Sequence, residues 1–140
     1  MTEIRAYEKP APIIDPGTKP FWDATREHRL SIPHCLSCGK HHFYPRELCP
    51  HCHSADLEWT DVSGKGKIYS YTIARKPAGP VFAADVPYVI AMIALDEGPR
   101  MLTNIVTEDV EAVRIGDRVQ VHFDDVTPDL TLPKFTLDRA

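Results

Sequence analysis

No cysteine lies outside the stretch 34–53, so no thiol is left over for a nucleophile elsewhere in the chain. No apolar run is long enough to cross a membrane. No basic segment followed by an apolar core opens the sequence, and the chain reads as cytoplasmic. A basic excess is missing too. Sixteen Lys and Arg stand against 20 Asp and Glu, a formal net charge of -4, which argues against a general nucleic-acid binder while leaving room for a local basic patch. There is no G-x-S-x-G elbow and no dinucleotide fingerprint. Gly64-Lys65-Gly66 reads as a turn, because neither its spacing nor a following helix fits a phosphate loop. Internal repeats and low-complexity segments are absent. Proline is plentiful, with 13 residues in 140, which favours short strands and loops over a helical bundle.

The organising feature is Cys35-Leu36-Ser37-Cys38, then ten residues, then Cys49-Pro50-His51-Cys52. Two C-x2-C pairs on tight turns bring four sulfurs to one ion, as a tetrahedral zinc ribbon requires. Gly39 follows the first knuckle where a left-handed backbone is expected, and glycine adopts it freely. His53 holds the same place in the second knuckle and tolerates it better than most residues. A pair of disulfides is the competing reading, and it needs an oxidising compartment that nothing else marks. Four thiolates leave no open position for water, so the predicted metal is structural. His34, His41, His42, His51 and His53 crowd the site and are read as exposed loop residues or donors to the thiolates.

Along the chain, Lys9-Pro10-Ala11-Pro12 predicts an extended N-terminal arm. Thr18 to Arg29 predicts a short helix with Pro20 in its first turn. Phe21 and Trp22 point about 100° apart on such a helix, so one ring is expected to face a partner and not the protein's own core. After the second knuckle, strands are predicted at Leu57–Val62, Lys67–Arg75, Pro87–Asp96, Arg100–Thr107, Arg118–Phe123 and Leu132–Leu137. A helical turn is expected within Glu108–Val113. Asp124–Thr131 reads as a polar loop. Lys76–Val86 is a loop with an apolar tip, Val81-Phe82-Ala83-Ala84. The class is mainly β: an arm and helix over 1–33, a rubredoxin-like zinc ribbon over 34–56, and a five-stranded OB-fold Greek-key barrel over 57–140.

The order of elements resembles the zinc-ribbon/OB-fold family of accessory proteins that partner thiolase-like enzymes and bind acyl-CoA. The matching strings are Lys19-Pro20-Phe21-Trp22, Cys35-Leu36-Ser37-Cys38-Gly39, Phe43-Tyr44-Pro45-Arg46 and Cys49-Pro50-His51-Cys52. Gly64 to Thr72, Pro87-Tyr88-Val89 and Ile115-Gly116-Asp117-Arg118-Val119 continue the match through the barrel. The resemblance implies a non-catalytic subunit of a thiolase, acyltransferase or thiolase-like aldolase in lipid metabolism. It further implies that ribbon and helix pack on the enzyme while the barrel shares its CoA thioester.

For such a ligand, the candidate phosphate-binding cations are Lys65, Lys67, Arg75 and Lys76, with Phe82 on a lid over the acyl chain or in contact with the partner. Lys40 and Arg46 can instead offset the zinc-thiolate charge, and Arg46 can stand at the interface with Phe21 and Trp22. The rival class is a nucleic-acid-binding module in which Tyr69, Tyr71 and Phe123 stack bases. A free-standing hydrolase lacks a nucleophile or an open metal site in this sequence.

Overall fold

The computed structural model describes residues 9–138. The arm expected over 1–20 therefore lies partly outside the described residues; its remainder, from Lys9 to Asp15, has no regular structure. Helix α1 spans Lys19–Arg26, with Pro20 in its first turn. It begins where Asp15 accepts the backbone N–H groups of Thr18 and Lys19. It ends at Arg26, and His28, with a left-handed φ of 58°, turns the chain away from the helix two residues on.

Strand β1, Ser31–Cys35, was not expected, because Pro33 and its short length hid it. It pairs antiparallel with β2, Leu57–Asp61, in a separate two-stranded sheet. The strand at 57–61 thus completes the ribbon, although alternation alone had grouped it with the barrel. The barrel follows with β3 (Lys65–Ala74), β4 (Tyr88–Leu95), β5 (Arg100–Ile105), β6 (Arg118–Thr127) and β7 (Leu130–Leu137). They close in the order β3-β4-β5-β7-β6, with one parallel contact between β5 and β7 at Ile105 and Phe135. A 3-10 turn at Val110–Ala112 fills the place predicted for a helical segment. This is the OB arrangement.

The segment 124–131 is strand and tight turn, not loop. Asp124 and Asp125 look like loop residues, but Lys134 takes the first carboxylate and Thr131 the second, across the β6–β7 hairpin. On β4 only one face is fully buried: Val89, Ala91, Ile93 and Leu95 point inward, and the apolar residues between them are half-buried. Phe21, Trp22, Leu30 and Ile32 join the barrel side chains in one core, so helix, ribbon and barrel are one packed body.

Gly66 sits where β3 crosses close to β4. A Cβ built there would lie 2.5 Å from the Ala94 carbonyl oxygen and 2.9 Å from Ile93 Cγ2. Backbone cannot retreat as a side chain can, so Gly66→Ala is expected to destabilise the barrel by about 3 kcal/mol. Chemical denaturation of the variant checks this, and an unchanged midpoint would refute the close approach.

Candidate functional site: a four-cysteine metal centre and a barrel-end cleft

The two knuckles are built alike. The Cys35 N–H donates to the Lys40 carbonyl and the Cys49 N–H to the Ser54 carbonyl, each at 2.9 Å. Gly39 and His53 then return their N–H groups to the Cys35 and Cys49 carbonyls. Both residues are left-handed, with φ of 79° and 65°, as their positions in the sequence required. Further backbone N–H groups point at sulfur: Cys38 at Cys35 Sγ and His51 at Cys49 Sγ, both 3.4 Å.

The four Sγ atoms lie within 4.8 Å of one another, with Cys35–Cys52 at 3.5 Å and Cys38–Cys49 at 3.7 Å. A tetrahedron with Zn–S bonds of about 2.3 Å has edges of roughly 3.8 Å, so the donors fit zinc. They do not fit disulfides, and all four thiols are free. The Cys38 backbone N–H lowers the Cys35 thiol to about 6. Cys52, although the Ser54 backbone lowers it, is pushed up to about 12 by Cys35 and its other sulfur neighbours. Four adjacent thiols cannot all ionise without a cation among them. A bound dication removes that conflict and ties the knuckles together.

The histidines divide. His34 Nε2 contacts the Gly39 carbonyl and His41 Nε2 the Thr60 hydroxyl. His42 is buried, contrary to the exposed role expected for it, and burial holds its pKa down. The Arg46 N–H donates to its Nε2, so the proton of the neutral ring sits on Nδ1. This bond folds the loop between the knuckles and leaves the Arg46 side chain exposed, beside the groove between Asp15–Thr18 and Tyr44–Glu47.

Phe21 and Trp22 are both buried, at 1% and 7% exposure. The expectation that one lacked a home is corrected. Phe21 faces Phe43 at 5.5 Å, and the Trp22 indole donates to the Tyr44 hydroxyl at 3.0 Å. The ribbon loop supplies the second cover that a helix on one core would lack. Among the described residues of arm and ribbon loop the exposed large apolar side chains are Ile13, at 86%, Ile14, Leu36, Tyr44 and Leu48.

The predicted CoA cations do not form one group. Lys65 and Lys67 open β3, whereas Arg75 and Lys76 follow its far end, about 26 Å along the strand. At that far end Ala74 pairs with Tyr88, and a cleft of about 460 Å³ opens. Phe82 lines it with Tyr88, Val106, Val126 and Leu132. Lys9 from the arm pairs with Asp85 and lies 5.8 Å from the Phe82 ring centre. Lys134, paired with Asp124 at 2.7 Å, lies on the opposite wall. Arg75 is held by Glu111. Lys9, Tyr88 and Lys134 were not singled out in the sequence. A lysine in a proline-rich arm carries no local signal, and strand residues show their neighbours only once register is known.

The cleft lies where the β3–β4 loop meets the barrel, a usual place for OB-fold ligands. Residues 22–58 match the ChsH2 rubredoxin-like zinc ribbon domain, and residues 59–124 the ChsH2 C-terminal OB-fold domain. A DUF35 domain-containing scaffold protein of Methanothermobacter thermautotrophicus is 37% identical over 99 residues, 70% of this chain and 74% of that protein. The chain belongs to the ChsH2-type DUF35 family. A solved structure, the Ltp2-ChsH2(DUF35) aldolase, superposes with a TM-score of 0.80 at 35% identity, covering 91% of this chain and 98% of that one. A probable enoyl-CoA hydratase alpha subunit of Thermomonospora curvata is 35% identical over 127 residues. The match takes in 91% of this chain but spans 39% of that protein's length. The zinc ribbon and barrel are thus the shared unit of the family, and the zinc is structural. Among the described residues no helix is long and apolar enough to cross a membrane.

Proposed function

We propose that this DUF35 protein is an accessory subunit of a thiolase-superfamily enzyme, acting in the cytoplasm and sharing an acyl-CoA with its partner. The observation that carries it is the near-complete match to the ChsH2(DUF35) chain of an aldolase assembly. All four cysteines sit in the metal centre, which leaves acyl transfer to another chain. Ile13, Ile14, Leu36 and Leu48 supply the exposed apolar anchors that docking of arm and ribbon needs, in place of the buried Phe21 and Trp22. Arg46, exposed two residues before Leu48, supplies a cation for the same contact.

The barrel-end cleft is the acyl-CoA element of this reading. Its apolar wall at Phe82, Tyr88 and Val126 suits an acyl or pantetheine segment, and its own cations, Lys9 and Lys134, suit phosphates; Arg75 and Lys76 follow β3 without lining it. Lys65 and Lys67 fall outside it.

Purification of the tagged chain from its own cells, followed by mass spectrometry, tests the assignment. A thiolase-superfamily subunit in stoichiometric amount is expected, while the chain alone turns over no acyl-CoA thioester. Turnover by the homogeneous chain refutes it. In the complex, Phe82→Ala is expected to raise the Kd for acyl-CoA about tenfold, the loss of one apolar contact of about 1.4 kcal/mol. Calorimetry with the loaded thioester reads that change, and an unaltered Kd removes the cleft from the reading.

A further inference from the structure

Lys65 and Lys67 are left without a role by the position of the cleft, and the barrel shows what surrounds them. Strand register places Arg118 of β6 beside Lys67 of β3, Ala94 of β4 next, and Arg100 of β5 beyond it. The three cations thus lie on one rung that crosses four strands, with Lys65 two residues before Lys67 on the same face of β3. Ala94 is the reason the row is continuous. Its methyl group is low enough for Arg100 to reach across β4 and lay its guanidinium 3.8 Å over the Tyr69 ring.

The carboxylates here are few. Arg118 holds Asp96 through two hydrogen bonds of 2.9 Å, and that carboxyl is kept below its usual range by this pairing and, less, by the nearby charges of Lys65 and Lys67. Asp138 lies close enough to act on Arg118. Glu97 is taken by the Ser63 N–H. No carboxylate of the described residues forms an ion pair with Lys65, Lys67 or Arg100. Against the row stand two exposed apolar side chains, Tyr69 and Leu102, at 51% and 63%, with the Met92–Leu102 rung immediately alongside.

We propose that this outer face of β3, β4 and β5 is a protein-docking surface for a patch of the partner enzyme in which carboxylates border an apolar strip. The proposal rests on the accessory-subunit reading of the preceding subsection and adds a second contact, apart from arm and ribbon. Charge complementarity selects the occupant. Three strand spacings set the row about 14 Å long, too spread for one phosphate group and well matched to several carboxylates on a protein surface. Arginine and tyrosine are the side chains most often found as interface anchors, and Arg100 stiffens Tyr69 before any partner arrives. The same stacking occupies the ring face that a nucleic-acid base would need.

The test uses the complex with the partner subunit that the purification described above recovers. The double variant Lys67→Glu/Arg100→Glu is expected to weaken the Kd about 100-fold and to flatten its salt dependence, with the melting temperature of the free chain unchanged. Leu102→Ser, which reverses no charge, is expected to weaken it about tenfold while leaving the salt dependence intact. An unchanged Kd in both variants, with the wild-type complex formed, overturns this face and leaves the accessory-subunit reading standing. A wild-type chain that assembles with no such subunit overturns both. Tight binding of a dT oligonucleotide at physiological salt, lost in the double variant, overturns the protein partner in favour of nucleic acid.

Discussion

Cys49→Ser protein is expected to purify without zinc and with the ribbon unfolded. Cys49 is buried, its carbonyl accepts the His53 N–H, and its sulfur accepts the His51 N–H. Removing one ligand therefore opens a knuckle as well as the metal shell. Structural zinc sites supply folding free energy of about 10 kcal/mol or more in isolated finger peptides, which exceeds what a ribbon of this size gains from its own core. The barrel has its own closed ladder and should persist. Hydrogen exchange should show residues 34–56 exchanging freely while β3, β4 and β6 stay protected. Metal analysis should fall from one zinc per chain to none. A chelator should reproduce the effect in the wild-type protein. Acid should as well, because zinc requires thiolates and falling pH returns their protons; affinity is held at neutral pH and lost as pH drops. A fully protected ribbon in metal-free protein would falsify the structural role of zinc.

The metal centre was legible in the sequence because its determinants are local. C-x2-C fixes two sulfurs on one turn, and Gly39 and His53 mark the left-handed residues that close each turn. Barrel strands were legible wherever one face is buried, since Val119, Val121 and Phe123 alternate with polar residues on β6. What could not be read depended on distant partners. β2 alternates like a barrel strand, yet pairs with β1, and no local pattern says which sheet a strand joins. Asp124 and Asp125 belong to a strand because Lys134, Thr131 and His28 meet them there. The CoA cations looked like one set along a line of sequence, but an extended strand carries Lys67 and Arg75 to opposite ends of the barrel.

Trp22→Ala is expected to lower the stability of the isolated chain by about 4 kcal/mol, the usual cost of deleting a buried large aromatic. In a domain of this size that corresponds to a fall of about 14 °C in melting temperature. Helical geometry alone favours the opposite result, a surface ring whose loss spares the fold. Two residues 100° apart on a helix do need two separate covers. Here both exist. The barrel core takes Phe21, and the ribbon loop folds back so that Phe43 and Tyr44 enclose the aromatic pair. Trp22 packs edge-on against Phe21 at 4.9 Å, and its indole N–H is satisfied by Tyr44. Deletion leaves a cavity and an unpaired hydroxyl at the joint between helix, ribbon and barrel. Complex formation should then weaken only as a consequence of lost folded protein. Leu48→Ser provides the contrast. Leu48 is more than half exposed, so its loss should leave the melting temperature within about 2 °C and act on partner binding directly. Thermal denaturation of both variants, beside a binding measurement at a temperature where each is folded, separates the two roles. A Trp22→Ala chain that melts like wild type but fails to bind would return Trp22 to the docking face and deny it a place in the core.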